Sequence, residues 1–171
     1  MSAPTIHAMP GHEAQARDVA EQLRAPVELI DVHHFPDQES MVTVKPTEPT
    51  AVVFCSLDRP NAKLVEIMLA ASALREGGAI RLILLAPYMC YMRQDVAFQP
   101  GQAVSQQAIG RFLSGLFDRI ITVDPHLHRQ HDIAAVFVDS DAVAMSAAPL
   151  LAAFLGKRND IGNAVLVGPD E

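Results

Sequence analysis

The chain has 171 residues, half of them hydrophobic and 19% charged, which suits one domain, or one domain and the start of a second, and excludes a disordered tail. Thirteen basic against 20 acidic residues give a formal charge of −7, and with no Trp and 5% aromatics neither a nucleic-acid coat nor a base-stacking platform is expected. No apolar run reaches the ~18 residues of a membrane span, and Met1-Ser2-Ala3-Pro4-Thr5 lacks the features of a signal peptide.

Taken in chain order, Thr5–Ala8 is a weak strand candidate. Glu13–Leu23 follows as a helix, with Ala16, Val19, Ala20 and Leu23 on one face. Val27–Val32 is a strand, and Met41–Val44, beyond the turn-like Pro36-Asp37, is a weaker one able to pair as an antiparallel neighbour. Ala51–Cys55 is a strand. Asn61–Arg75 is a helix presenting Leu64, Ile67, Met68 and Ala71, with Asn61 as its expected cap and Gly77-Gly78 as its stop. Arg81–Ala86 is a strand, and Ser105–Leu116 is a helix opened by a Ser cap. Arg119–Val123 is a strand. Ala142–Leu155 reads as a very apolar helix ending at Gly156, with Pro149 as a disturbance or a joint, and Ala164–Val167 as a final strand.

The main strands are short and rich in Val, Ile and Leu, as strands buried on both faces are. Their alternation with helices predicts an α/β fold with a mainly parallel sheet flanked by helices. In such sheets ligands bind beyond the carboxyl ends of the strands, so the loops there are where chemistry is expected. Cys55 and Cys90 lie in apolar segments and read as buried free thiols, which agrees with a cytoplasmic protein.

Four such loops carry unusual polar residues. His33-His34-Phe35-Pro36-Asp37-Gln38-Glu39-Ser40 offers an aromatic face and two carboxylates at i and i+2. These either converge on an amine, a hydroxyl or a hydrated metal, or form an exposed acidic turn. The long excursion from Pro87 to Ser105 contains Tyr88, Tyr91, Arg93, Gln94 and Asp95. Arg93 can stack on a base or pair with a phosphate, and Gln94 can read a base edge; the plain alternative is a solvated loop with an Arg–Asp pair. Asp124-Pro125-His126-Leu127-His128-Arg129-Gln130-His131-Asp132 holds three histidines and two aspartates in nine residues. A zinc signature of the His-x-His-x-x-His kind needs an acid where Gln130 stands. Last, Asp170 follows the expected final strand, where a carboxylate suits Mg²⁺. There is no P-loop and no nucleophile-elbow motif, and the Rossmann glycine fingerprint is missing.

Together the chain resembles the ribose-phosphate pyrophosphokinase family. The resemblance rests on Phe35-Pro36-Asp37-Gln38-Glu39, on Pro87-Tyr88 through Tyr91 to Arg93-Gln94-Asp95, on Pro100-Gly101-Gln102-Ala103-Val104-Ser105, on Asp124-Pro125-His126 and on Pro169-Asp170, in that order. It covers essentially the whole chain but only about the N-terminal half of a family member. It implies a phosphoribosyltransferase-like fold, with residues 1–145 as a nucleotide-binding domain and 146–171 as the start of a truncated second domain. The implied reaction transfers pyrophosphate from ATP to ribose 5-phosphate, giving phosphoribosyl pyrophosphate and AMP, with Mg²⁺. By resemblance Phe35 and Arg93 pack on adenine, and Asp37 and Glu39 hold its amino edge. Gln94 and Asp95 contact the nucleotide. His126 is the catalytic residue by the phosphates and metal, and Asp170 meets Mg²⁺ and the ribose. The partners implied are ATP and ribose 5-phosphate in a homo-oligomer whose ATP site is shared between subunits, with no nucleic acid or membrane.

The chain departs from the family at Gln38, where a Gly is usual, at Val96-Ala97-Phe98 and Gln106-Gln107, where basic residues are common, and at Pro125. The family's flexible catalytic loop and its ribose-5-phosphate loop follow the Pro-Asp strand, so this chain is expected to be an incomplete, inactive part of the enzyme. Two rival expectations are a non-catalytic regulatory relative of an active synthetase and a metal hydrolase built on His126, His128 and His131.

Overall fold

The computed structural model describes residues 3–129, 131–158, 162, 165 and 167. Five strands of the main sheet alternate with helices: β1 (Thr5–Ala8), α1 (Glu13–Leu23), β2 (Val27–Leu29), β5 (Thr50–Phe54), α2 (Pro60–Glu76), β6 (Arg81–Ala86), α3 (Ser105–Ser114) and β7 (Arg119–Val123). Between β2 and β5 lie β3 (Asp31–His34) and β4 (Ser40–Thr43); after β7 come a 3-10 turn (Ile133–Ala135), β8 (Asp141–Met145) and α4 (Ala148–Gly156). The main sheet is parallel throughout, in the order β2-β1-β5-β6-β7-β8. A separate antiparallel hairpin joins β3 to β4.

Crossover handedness explains the layers. From β1 the chain steps one way to β2, and from β5 it steps the other way through β6 and β7. Right-handed crossovers therefore send α1 to one face and α2 and α3 to the opposite face. The larger core lies under α2 and α3, where Leu64, Ile67, Leu74 and Leu113 meet Val53, Leu82, Leu84 and Ile120. The smaller core sets Ala16 and Ala20 of α1 against Ile6, Ala8, Val52 and Phe54. Beyond Phe54 the α1-side face continues as an apolar groove of about 650 Å³, walled by Val19, Leu23, Leu85, Ile121 and Met145.

Three expectations need correction. The strand expected over Val27–Val32 is two strands. β1 ends at Ala8, whose carbonyl takes the Ile30 N–H, so beyond Ile30 there is nothing left to pair with. The chain turns away there, and Asp31 pairs with Thr43 instead. The helix expected over Ala142–Leu155 is divided: Asp141–Met145 extends the sheet beside β7, and only Ala148–Gly156 is helical, with Pro149 in its first turn, where its missing N–H costs nothing. Neither expected capping side chain caps. Arg59 stands at the start of α2 with Pro60 as its first residue, and Val104 precedes α3. The strand expected over Ala164–Val167 and the Pro169-Asp170 motif involve residues outside those described, apart from Val165 and Val167, which carry no strand assignment.

Both cysteines are free and buried. Burial pushes the Cys55 thiol up to about 12 and the Cys90 thiol up to about 11, which leaves both unreactive. Among the described residues no helix is long and apolar enough to cross a membrane.

Candidate functional site

The loops after β6 and β7 meet over the carboxyl edge of the sheet and enclose a cavity of about 560 Å³. Its walls include Tyr88, Tyr91, Arg93 and Gln94 from the first loop, Ser105 at the start of α3, and Asp124 and His126 from the second.

Side-chain hydrogen bonds hold the first loop in place. The Ser105 hydroxyl donates to Gln94 Oε1 at 2.5 Å, and the Gln106 N–H donates to the Gln94 carbonyl at 3.1 Å. Gln94 thus presents its amide NH₂ with its acceptor already engaged. The buried Gln106 side chain donates to the Met92 carbonyl at 3.3 Å. Tyr91 sits in the left-handed region at φ 58°, and its hydroxyl donates to Asn61 Oδ1. Asn61 is the second residue of α2, inside the helix rather than at its cap. Arg93 is exposed on the wall and makes no ion pair among the described residues. Asp95 is turned away from the cavity walls and latches the two loops together: its side chain, 3% exposed, accepts from the Arg129 guanidinium at 2.7 Å and from the Arg129 N–H at 3.4 Å. Burial works to raise its carboxyl, but the Arg129 bonds and charge outweigh this and hold it below the usual carboxylate range.

The second loop begins at Asp124, also left-handed at φ 41°. Its N–H donates to the Met145 carbonyl at 2.9 Å, and its Oδ2 accepts from the Ala147 N–H at 2.9 Å. The other carboxylate oxygen takes no hydrogen bond among the described residues. His126 and His128 are both exposed and meet edge to face, ring centroids 4.2 Å apart. Among the described residues no three His, Cys, Asp or Glu side chains cluster tightly enough to hold a metal, so His131 does not complete a site with this pair. The loop then enters the 3-10 turn, which packs against α3 where Gly110 leaves room for the Val136 carbonyl.

Phe35, Asp37 and Glu39 stand elsewhere, at the tip of the β3–β4 hairpin. The tip is closed by Phe35 N–H to the Glu39 carbonyl at 2.8 Å and Gln38 N–H to the Phe35 carbonyl at 2.9 Å. The Glu39 N–H donates to Asp37 Oδ1 at 3.2 Å, which ties one carboxylate into the turn. Gln38 occupies the left-handed region at φ 74°, the conformation for which glycine is best suited. Phe35 is 40% exposed and meets the His33 ring edge to face at 5.0 Å. The structure therefore gathers Arg93, Gln94 and His126 around one cavity and leaves the hairpin residues off its walls. Asp170 lies outside the described residues.

Sequence reasoning missed Glu66, Arg129 and Gly110, which hold these loops. The signals were a lone carboxylate in the apolar run from Leu64 to Leu69, a cation beside a histidine cluster, and a glycine inside a helix.

The family model describing the N-terminal domain of ribose phosphate pyrophosphokinase matches residues 5–116. Among curated relatives, a ribose-phosphate pyrophosphokinase of Methanopyrus kandleri is 38% identical over 157 residues, 91% of this chain and 53% of the relative. One of Halobacterium salinarum is 40% identical over 138 residues, 80% of this chain and 47% of the relative. The crystal structure of phosphoribosylpyrophosphate synthetase from Mycobacterium smegmatis superposes with a TM-score of 0.75 at 25% identity, covering 90% of this chain and 52% of that one. The chain spans about half the length of these relatives. The sheet, the order of the strand-end motifs and the family match agree: this chain belongs to the ribose-phosphate pyrophosphokinase family, over its N-terminal domain.

Proposed function

We propose that this chain is the nucleotide-binding part of an enzyme that transfers the β,γ-diphosphoryl group of ATP to the anomeric hydroxyl of ribose 5-phosphate. The hydroxyl oxygen forms a bond to Pβ, the bond from Pβ to the α–β bridging oxygen breaks, AMP leaves, and the hydroxyl gives up its proton. The observation that carries the reading is the convergence of Arg93, Gln94 and His126 on one cavity in a chain of this family. Arg93, free of protein partners among the described residues, stacks on the adenine. Gln94 donates from its free amide NH₂, and His126 sits against the phosphates as the catalytic residue. Asp95 serves the nucleotide by latching the Arg93 loop to the His126 loop.

Mg²⁺ supplies charge neutralisation on the triphosphate when bound. It takes few protein carboxylates beside phosphate oxygens and waters, and Asp124, with one oxygen uncommitted on the cavity wall, fits that need. His126 and Asp170 complete the proposed surroundings. Phe35, Asp37 and Glu39 are assigned to the adenine of a neighbouring copy. What supports a shared site in a homo-oligomer is that the hairpin tip is solvent-facing and that, among the described residues, Phe35, Asp37 and Glu39 are not on the walls of the Arg93 cavity. Two buried, free thiols fit a cytoplasmic location.

The test is AMP release from Mg-ATP with and without ribose 5-phosphate, using this chain and the natural full-length protein. Ribose 5-phosphate-dependent AMP is expected from the full-length protein. His126→Ala there should cost about a hundred-fold in kcat/KM, and His128→Ala no more than about three-fold. Equal losses would refute the assignment of His126. A binding role without turnover is the second reading: among the described residues, Arg93 is the one Lys or Arg on the cavity wall. ATP binding without AMP from the full-length protein would establish it.

A further inference from the structure

The β3–β4 hairpin has two unlike faces. Val32 and Val42, paired across it, pack against the core beneath α2. Two residues further along, His34 and Ser40 pair in the same register and so face the same way. Opposite them, Ala62 and Val65 of α2 line the same cleft. His34 and Ser40 both reach Oε1 of Glu66 on α2, His34 Nε2 at 2.8 Å and the Ser40 hydroxyl at 3.4 Å. Glu66 is 7% exposed, a carboxylate set into the mainly apolar face that α2 turns inward.

His34 and Ser40 are also the residues that bracket the loop from Phe35 to Glu39. That loop is internally fixed by the Phe35–Glu39 and Gln38–Phe35 backbone bonds. A loop rigid in itself and joined to the body at its base is aimed by whatever holds the base. Here one carboxylate oxygen holds both ends. A carboxylate taken out of water persists only with hydrogen-bond partners, so the clamp is directional: the pair must stay opposite Glu66 for that group to remain satisfied.

We infer that Glu66 is a positioning residue for the nucleotide, setting through His34 and Ser40 the angle at which Phe35, Asp37 and Glu39 are presented to adenine. This rests on the proposed assignment of the hairpin to ATP. Glu66 touches no substrate and acts through the loop alone.

The experiment uses the natural full-length protein with the variants Glu66→Gln, His34→Ala, His34→Arg and Phe35→Ala. It measures KM for ATP, KM for ribose 5-phosphate, kcat, and hydrogen exchange of the amides from 31 to 43. Glu66→Gln and His34→Ala are expected to raise the KM for ATP roughly ten-fold while kcat and the KM for ribose 5-phosphate stay within about two-fold. Exchange at 35–40 should quicken in both. His34→Arg, which restores a donor to Glu66, should recover the ATP KM. In a Phe35→Ala background, Glu66→Gln should add nothing. Faster exchange with an unchanged ATP KM, while Phe35→Ala still raises it, overturns the positioning role and leaves the nucleotide reading standing. A Phe35→Ala variant with wild-type ATP KM overturns the hairpin assignment and this inference with it. Parallel losses for both substrates would mean general destabilisation and also overturn it. If Glu66→Gln does not fold, the half-exposed His34 carries the test.

Discussion

Gly110→Ala is the sharpest test of how the cavity wall is built. Gly110 lies buried in α3, and a Cβ placed there would stand 2.2 Å from the Val136 carbonyl oxygen, 3.1 Å from Val136 Cγ1 and 3.2 Å from the Val136 carbonyl carbon. Ordinary carbon–oxygen contacts lie at ~3.3–3.6 Å, so helix and turn must part by about 1 Å. The closest atom is backbone, so no rotamer change relieves it. Replacing a mid-helix glycine by alanine gains about 1 kcal/mol of helix propensity. Overpacking costs ~1–3 kcal/mol, and a backbone clash belongs at or beyond the upper end. The net expectation is a loss of about 2 kcal/mol, or roughly 4–8 °C in Tm for a chain of this size. Urea and thermal melts followed by far-ultraviolet circular dichroism measure it directly. Because the turn continues the His126 loop, nucleotide affinity should weaken with it. A Tm at or above that of the parent chain would refute the close approach of α3 to Val136, and with it the account of how the second loop is anchored.

Two further outcomes concern pH. Asp95 has a depressed carboxyl in the folded chain, so its pairing with Arg129 stabilises above the unfolded value of about 4 and is lost as pH falls through the folded one. The gap in urea midpoint between the parent and Arg129→Leu should therefore be open at pH 7 and shrink below about pH 4; a pH-independent gap would count against the latch. His7 is fully buried in β1 with neither ring nitrogen hydrogen-bonded among the described residues, and burial lowers its pKa, with the Glu28 charge opposing. The unfolded chain takes up a proton near pH 6.5 that the folded chain resists, so stability should fall as pH drops below that point. His7→Leu should flatten this slope between pH 7 and 5 and raise stability by about 1 kcal/mol at neutral pH; an unchanged slope in urea melts would assign the pH dependence elsewhere.

The parallel sheet was legible because its strands bury both faces, and the cavity because its loops follow β6 and β7. The break at Ile30 was not, since nothing local in Val27–Val32 records that β1 stops at Ala8. The apolar stretch after Asp141 satisfies both helix and strand patterns, and pairing of Asp141 with Arg119 decides for the strand. Asn61 and Ser105 have good capping chemistry, yet α2 starts at Pro60 and α3 at Ser105, so both stand inside their helices, where Asn61 accepts from Tyr91 and Ser105 donates to Gln94. For α2 the better local signal was Pro60, suited to a first helical position. The separation of Phe35 from Arg93 lies in how the hairpin docks on α2, which no motif spacing encodes.

The uneven cover of the sheet bears on the order in which the chain comes apart. β1 and β5 are shielded by α1 on one face and by the larger core on the other, whereas among the described residues β8 has a partner on one side and α4 buries none of its side chains. Opening should therefore begin at the β8 margin and reach the central strands last, as one foldon after another. Asp124 is tied to that margin through Met145 and Ala147. The wall of the cavity thus belongs to the part of the fold with the least to lose. A nucleotide spanning Arg93 and His126 would add its binding energy there, and protection against exchange should rise first at β7 and β8 when it binds.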